Sequence, residues 1–393
     1  MRWDIFCRVI DNFGDIGVCW RLASQLRQEY GLNIRLWVDD LVSFQRICSE
    51  VQPALSHQSL SVGVEVLHWT KDVDGLVAEA GSAQVVIEAF ACELPSSYLN
   101  AMVQTKVAPI WLNLDYLSAE DWVEQCHGLP SPHPQLPLQK YFFFPGFTDK
   151  TGGLLQRAEQ RCLQQHWLAH GGRQQLLHHF GVPTAAQSHQ LICLFAYSHP
   201  DLAALLRLWG QQTEPVTCLV PAGALVEQLR QLWPELIHTD VLQLGRLRLQ
   251  LLPYLPQQQF DQLLWCADVN FIRGEDSLVQ AIWAGKPFVW QLYRQDEDQQ
   301  LTKLAAFWQR FTADMPSELE QRLWPLWLHW NNQQGVVADW QAVLPLLPDW
   351  QQHCTQWHSR LNLQGDLAKN LVRFVENKFI LTPNFPGKKK LLL

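Results

Sequence analysis

Short apolar runs alternate with polar stretches of helical spacing over the first 150 or so residues. Residues 4–10 form a mostly apolar run of strand length, and residues 11–17 after it are polar and carry two glycines. Val18, Leu22, Ala23, Leu26 and Tyr30 then recur at spacings of three and four, on one face of a helix that Gly31 can stop. Residues 33–38, 64–69, 85–91, 109–114 and 141–144 continue the strand series. Strands separated by helical stretches predict a parallel sheet with helices on both faces.

The rhythm breaks between about 150 and 190. Gly152-Gly153 opens a stretch rich in Gln and His with helical spacing, and Gly171-Gly172 interrupts it. Strands then resume at 191–197, 216–220, 250–254, 268–272 and 288–293, with helices from about 201 and 224 and over 258–266 and 277–283. From about 295 onward the spacing is mainly helical, with Trp308, Trp324, Trp327, Trp330, Trp340, Trp350 and Trp357 spread along it. The reading is α/β throughout. Residues 1–160 form an N-terminal Rossmann-like domain and 175–355 a C-terminal one, and a C-terminal helix at about 362–393 packs back on the first. In such folds ligands sit beyond the carboxyl ends of the strands.

Composition narrows the function. Hydrophobic residues are 48% and charged ones 17%, enough apolar material for real cores and against disorder. The net charge of −8 argues against general binding of nucleic acid, which needs a basic face; Lys388-Lys389-Lys390 reads as a solvated tail. No run of about 18 apolar residues and no apolar leader stretch is present, so a soluble cytoplasmic protein without membrane attachment is expected. The ten cysteines contain no C-x-x-C pair and read as reduced, buried thiols. Nineteen tryptophans are assigned to packing, each with one indole N–H to satisfy.

Two segments could carry chemistry. The loop Asp11-Asn12-Phe13-Gly14-Asp15-Ile16-Gly17 stands where a dinucleotide fold would place G-x-G-x-x-G, but it has two carboxylates, which would repel a pyrophosphate. Asp15 is either a helix N-cap or, with Asp11, part of an acidic pair suited to a positively charged substrate group. The second segment runs from Phe271 to Pro287 as strand, glycine turn, polar helix start, amphipathic helix and Gly-Lys-Pro stop. This spacing resembles the donor-nucleotide motif of GT-B glycosyltransferases, in which a helix N-terminus receives the donor diphosphate. Arg273 and Ser277 are well typed to help, and Glu275 and Asp276 fit an ordinary first turn equally well. Tyr254 and Phe260, around Leu255-Pro256-Gln257, and the Phe195-Ala196-Tyr197-Ser198 strand end could stack on a base or fill the core. Asp72-Val73-Asp74 and Asp296-Glu297-Asp298 contain D-x-D, too common a pattern to assign a metal. His166 and His170 lack H-E-x-x-H and read as a solvated face.

The stretch W-D-I-F-C-R-V-I-D-N-F-G-D-I-G-V-C-W-R-L-A with L-W-V-D-D after it, and F-I-R-G-E-D-S-L-V-Q-A-I-W-A-G-K-P-F-V-W, resemble the two signatures of the bacterial elongation factor P arginine rhamnosyltransferases. The resemblance spans essentially the whole chain. It implies a GT-B enzyme with two Rossmann-like domains facing each other across a cleft. Such an enzyme inverts as it moves L-rhamnose from dTDP-β-L-rhamnose to a loop arginine of elongation factor P, which supports polyproline translation. No metal or other cofactor is implied. Asp15, Asp11 and Glu275 would be the essential carboxylates. Phe13, Gly14, Phe195, Tyr197, Tyr254, Gln257, Phe260, Arg273, Asp276 and Ser277 would line the donor site, with Tyr254 standing where the family pattern has phenylalanine. The alternatives are a GT-B nucleotide-sugar enzyme with another acceptor (or an epimerase), and a non-catalytic nucleotide-sugar binding protein.

Overall fold

The computed structural model describes residues 1–10, 13–69, 73–294, 299–332 and 335–381. The chain divides into two compact units, one made of residues 1–158 with the chain from Gln364 onward, the other of Glu159–Leu363. In the first unit, β1 (Arg2–Cys7), β2 (Asn33–Val38), β3 (His57–Ser59), β4 (Glu65–His68), β5 (Val85–Ala89), β6 (Ile110–Leu114), β7 (Pro130–Pro132) and β8 (Gln139–Phe143) make one sheet of order β3-β4-β2-β1-β5-β6-β8-β7. The six inner strands run parallel, and β3 and β7 close the edges antiparallel. Their crossovers carry α1 (Gly14–Tyr30), α2 (Leu41–Ile47), α3 (Asp74–Ala80), α4 (Ser96–Val103) and α5 (Trp122–Cys126).

Both faces of this sheet are buried, and β1 shows how. Trp3, Ile5 and Cys7 point to a core shared with α1, whereas Phe6 points to the opposite one with Trp37, Val86 and Tyr98. That is the period of two acting on a strand covered on both sides, which is why its sequence reads as a run rather than an alternation. On α1 the buried stripe is Ile16, Cys19, Leu22, Ala23 and Leu26. Val18 and Tyr30, expected on that stripe, lie half-buried at its rim.

The second unit contains α6 (Gln160–Ala169), α7 (Gly172–His179), β9 (Gln190–Leu194), α8 (Leu202–Gly210), β10 (Val216–Pro221), α9 (Ala224–Leu232), β11 (Val241–Leu244), β12 (Leu247–Leu252), α10 (Gln257–Cys266), β13 (Val269–Arg273), α11 (Glu275–Ala284) and β14 (Phe288–Gln291). Its sheet has the order β11-β12-β10-β9-β13-β14, parallel except for β11. Helices α12 (Gln299–Thr312), α13 (Ser317–Asn332), α14 (Val336–Val343) and α15 (Leu347–Leu361) follow. The chain then returns to the first unit as α16 (Leu367–Leu381), whose Leu367, Leu371, Val375 and Phe379 join the core beneath α1. Residues 382–393, with the terminal lysines, lie outside the described residues.

Tryptophans of the helical part pack behind β13. Trp330 meets Phe271 at 4.9 Å and Trp340 meets it at 5.5 Å, while Trp209 lies 5.6 Å from Trp340. The indole N–H groups of Trp209, Trp330 and Trp340 are buried without an acceptor among the described residues, against the expectation that each would find one. Burying a large ring stabilises by about 3 kcal/mol or more, enough to offset one lost N–H bond. No helix among the described residues is long and apolar enough to cross a membrane.

Candidate active site

The first candidate cluster lies at the carboxyl end of β1. The strand ends at Cys7, short of the expected residue 10, because side chains take the next backbone donors: Val9 N–H donates to Asp39 Oδ1 at 2.8 Å and Ile10 N–H to Asp15 Oδ2 at 2.8 Å. Asp15 is not the N-cap. Phe13 caps α1 without a side-chain bond, and Asp15 sits inside the first turn, only 2% exposed. Its other oxygen, Oδ1, accepts from the Tyr116 hydroxyl at 3.3 Å. Donors on both oxygens fix the plane of a carboxylate that belongs to the most positive end of a helix. Phe13 lies under the Arg46 guanidinium at 5.8 Å, and Gly14 is the first helical residue. Asp11, the other predicted carboxylate of this loop, lies outside the described residues.

Tyr116 follows β6 and stacks on Phe90 at 4.5 Å and 18°. Phe90, Ala91 and Glu93 have positive φ (55°, 51° and 55°), and they are the non-glycine residues that do so among those described. Each costs about 1–2 kcal/mol relative to ordinary backbone. The turn is braced from four directions. Phe90 N–H donates to Leu114 O at 2.7 Å, Ala91 N–H to Asn113 Oδ1 at 3.1 Å, and Glu93 N–H to Glu88 Oε1 at 3.2 Å; the Cys92 thiol donates to Phe6 O at 3.4 Å. Nothing in Phe90-Ala91-Cys92-Glu93 announces this geometry, since neither glycine nor asparagine marks it; the expected strand simply ran on through Ala91.

The second cluster lies at the carboxyl ends of β9 and β13. Arg273, the last residue of β13, is 8% exposed, and no carboxylate pairs with it among the described residues. Its guanidinium lies 4.8 Å from the Phe195 ring and 4.5 Å from the Tyr197 ring, and its Nε is buried without a hydrogen-bond partner. Phe260 meets Phe195 edge-on at 5.2 Å. Gly223 permits this approach, because a Cβ there would stand 3.3 Å from Phe195 and 3.5 Å from the Arg273 guanidinium. Among the described residues the guanidinium is held by ring faces, and cation–π contact offsets only part of its lost hydration.

Immediately after Arg273, Gly274 takes φ 71°, a turn that favours glycine, and α11 begins. The Trp290 indole donates to Gly274 O at 2.9 Å, and Gly274 at the N-cap has no side chain to cap the helix. Glu275 and Asp276 stand in the first turn, half-buried, and Ser277 is buried beside them. The loop after β9 is drawn from the ladder by Gln291, whose Oε1 accepts from Tyr197 N–H at 2.8 Å, so β9 ends at Leu194 rather than at 197. Gln257 opens α10, and Tyr254, following β12, is 47% exposed. Thus Arg273 lies against Phe195 and Tyr197, and Phe260 against Phe195, with Glu275, Asp276 and Ser277 following Arg273 in sequence. Phe13, Gly14 and Asp15 share one turn of the first unit. Tyr116 and Phe90 entered no sequence-based list. Of the D-x-D candidates, Asp72 and residues 296–298 lie outside the described residues, and Asp74 merely starts α3. His166 and His170 are exposed on α6, as expected.

A family model described as elongation factor P (EF-P) rhamnosyltransferase EarP matches residues 3–376. The chain belongs to this family. Protein-arginine rhamnosyltransferases of Pseudomonas aeruginosa and Pseudomonas putida are 43% and 45% identical to it, each match covering 95% of this chain and 98% of the relative. A relative of the same description from Neisseria meningitidis is 37% identical over 382 residues. A solved structure concerned with EarP-mediated arginine glycosylation of translation elongation factor EF-P superposes with a TM-score of 0.67 at 32% identity, covering 96% of this chain and 99% of that one. This EarP-family chain is a glycosyltransferase, and its two parallel-rich units are those of the GT-B fold.

Proposed function

We propose that the protein transfers L-rhamnose from dTDP-β-L-rhamnose to an arginine side chain of elongation factor P, with inversion at the anomeric carbon and without a metal. The observation that carries the donor half is Arg273, a buried guanidinium between two aromatic rings, with no carboxylate paired to it among the described residues. In this reading a nucleoside diphosphate pairs with Arg273, the positive N-terminal end of α11 stands beside it, and Ser277 adds a hydroxyl. On the same reading Phe195, Phe260 and Tyr254 offer aromatic surface to the thymine or the deoxysugar, with Tyr197, Gln257 and Asp276 completing the donor contacts.

The acceptor half falls to carboxylates. A guanidinium has a pKa above 12 and no available lone pair, so it is a poor nucleophile until it is oriented and about to lose a proton. In this reading Asp11, Asp15 and Glu275 hold the cationic head. As the nitrogen–C1 bond forms and the C1–diphosphate oxygen bond breaks, the attacking nitrogen becomes far more acidic, and Asp15 takes its proton. dTDP leaves with its charge matched by Arg273 and the helix terminus. The similarity to relatives named protein-arginine rhamnosyltransferases supports the acceptor class.

The deciding experiment incubates the protein with dTDP-β-L-rhamnose and elongation factor P and maps masses over the factor's loop arginine. A single added deoxyhexose on that arginine is expected. Donor turnover with an unmodified factor would point to another acceptor, and nucleotide binding without turnover would reject the enzyme altogether.

A further inference from the structure

The strained turn after β5 is costly and exposed at Ala91. What it accomplishes is local: it turns the Phe90 ring flat against Tyr116, and Tyr116 in turn donates to Asp15. The other side of Tyr116 is equally constrained. Its backbone N–H donates to Asp115 Oδ1 at 2.8 Å, Asp115 Oδ2 accepts from Asn113 at 3.0 Å, and the same Asn113 side chain holds Ala91 N–H. Glu88, buried on β5, accepts from Glu93 N–H through one oxygen and pairs with Lys140 through the other at 3.2 Å. One hydrogen-bonded frame therefore sets both the strained turn and the tyrosine. Strain maintained by such over-determination is the mark of a geometry that is used.

We infer that Tyr116 is a positioning residue for Asp15, locked by Phe90, and that the strained 90–93 turn exists to hold that pair. The hydroxyl occupies one Asp15 oxygen, so the carboxylate presents a defined lone pair to the acceptor nitrogen. Without that donor the carboxylate keeps the Ile10 N–H bond on Oδ2 but loses the restraint on Oδ1, and with it part of the alignment on which proton acceptance depends. Phe90 acts at one remove, by denying the phenol any other orientation. The inference rests on the role proposed above for Asp15, and the test separates the two.

Tyr116→Phe, Phe90→Leu, the double variant and Asp15→Asn are compared with the parent for transfer to elongation factor P, dTDP affinity and thermal midpoint. Tyr116→Phe keeps the ring stack and should lower kcat about tenfold, the scale of one lost hydrogen bond to a charged group, with donor KM and dTDP affinity within twofold of the parent. Phe90→Leu should lower kcat less, and the double variant should be no slower than Tyr116→Phe alone, because both act through one contact. A Tyr116→Phe enzyme within twofold of the parent kcat, or single-variant effects that multiply in the double, would overturn the inference even where Asp15→Asn is inactive. An active Asp15→Asn would instead remove the reading beneath it. Should Phe90→Leu fail to fold, Tyr116→Phe decides alone.

Discussion

The two units put opposite chemistry on the same part of the same architecture. Each is a parallel sheet, and each collects its candidate groups where strands end. In the first unit that edge carries a buried carboxylate, bonded through both oxygens, beside a turn with three left-handed residues. In the second it carries a buried guanidinium held by ring faces, and the unusual backbone there is confined to a glycine, Gly274. In the function proposed above, the contrast would serve two substrates of opposite charge. A cationic acceptor needs a directed lone pair, for which orientation must be enforced at an energetic cost. An anionic donor needs positive charge and a helix N-terminus, which the β13–α11 junction carries.

The sharpest way to break the comparison is to neutralise the first edge. Asp15→Asn keeps size and the contact from Ile10 N–H while removing the proton acceptor. Transfer should fall by about 10²–10⁴-fold, the usual range for a positioned base, with dTDP affinity nearly unchanged. Joint loss of nucleotide binding and transfer would mean that the two edges do not divide the work as stated.

The same contrast explains what could be read from the sequence. The inner parallel strands were legible because burial on both faces leaves plain apolar runs, as at Asn33–Val38. β3, β7 and β11 were not, being antiparallel edge strands of three or four residues, and β7 (Pro130–Pro132) carries two prolines that only an edge tolerates. More instructive are the strands expected to run too far. Residues 8–10, 90–91 and 195–197 are apolar or aromatic enough to continue β1, β5 and β9. Instead the N–H groups of Val9, Ile10, Ala91 and Tyr197 go to the side chains of Asp39, Asp15, Asn113 and Gln291, while Phe90 and Phe195 still donate to backbone carbonyls. Strand propensity was misleading at the places where side chains redirect the backbone to build a site. Arg273 and Asp15 were singled out by residue type and spacing. Tyr116 was not, because its role depends on β6 lying two strands from β1 in the sheet order.

On the second edge, Arg273→Met retains stem volume and removes the charge. Its dTDP affinity should drop about 10–100-fold, the loss expected when a charge-assisted contact to a diphosphate is deleted, and isothermal titration would measure it. EDTA should leave parent turnover unchanged, since the arginine and helix terminus supply the positive charge. Affinity within threefold of the parent would remove Arg273 from the diphosphate site. Strict dependence on added magnesium would show that a cation carries part of its role.

The cores separate the units as well. The first buries a charged pair, Arg35 with Asp4 at 2.7 and 2.5 Å, whereas the second buries neutral imidazoles. His358 is held down to about 4 by burial and then by the Arg161 charge, and burial also lowers His199 and His353. An unfolded histidine titrates near 6.5, so between about 6.5 and 4 the unfolded chain binds more protons than the folded one. The stability these residues contribute is therefore complete above about pH 6.5 and declines as pH falls toward 4. The tryptophan-rich second unit should melt several degrees lower at pH 5 than at pH 7 by intrinsic fluorescence, and His358→Gln should flatten that slope. A midpoint equal at the two pH values would contradict the assignment.

The smallest effect tests the strain itself. Ala91 sits at φ 51° with its methyl exposed, so Ala91→Gly removes no packing. Relief of the left-handed conformation contributes about 1–2 kcal/mol, against about 0.4–1 kcal/mol for the extra freedom glycine gives the unfolded chain. The balance favours the variant by roughly 0.5–1 kcal/mol, a rise of about 1–4 °C in the first unit's midpoint. A stabilised variant with slower transfer would show that the enzyme sacrifices stability at this turn to keep Phe90 against Tyr116. A lower midpoint would mean that the turn is unstrained as built, and the difference between the two edges would then reduce to charge alone.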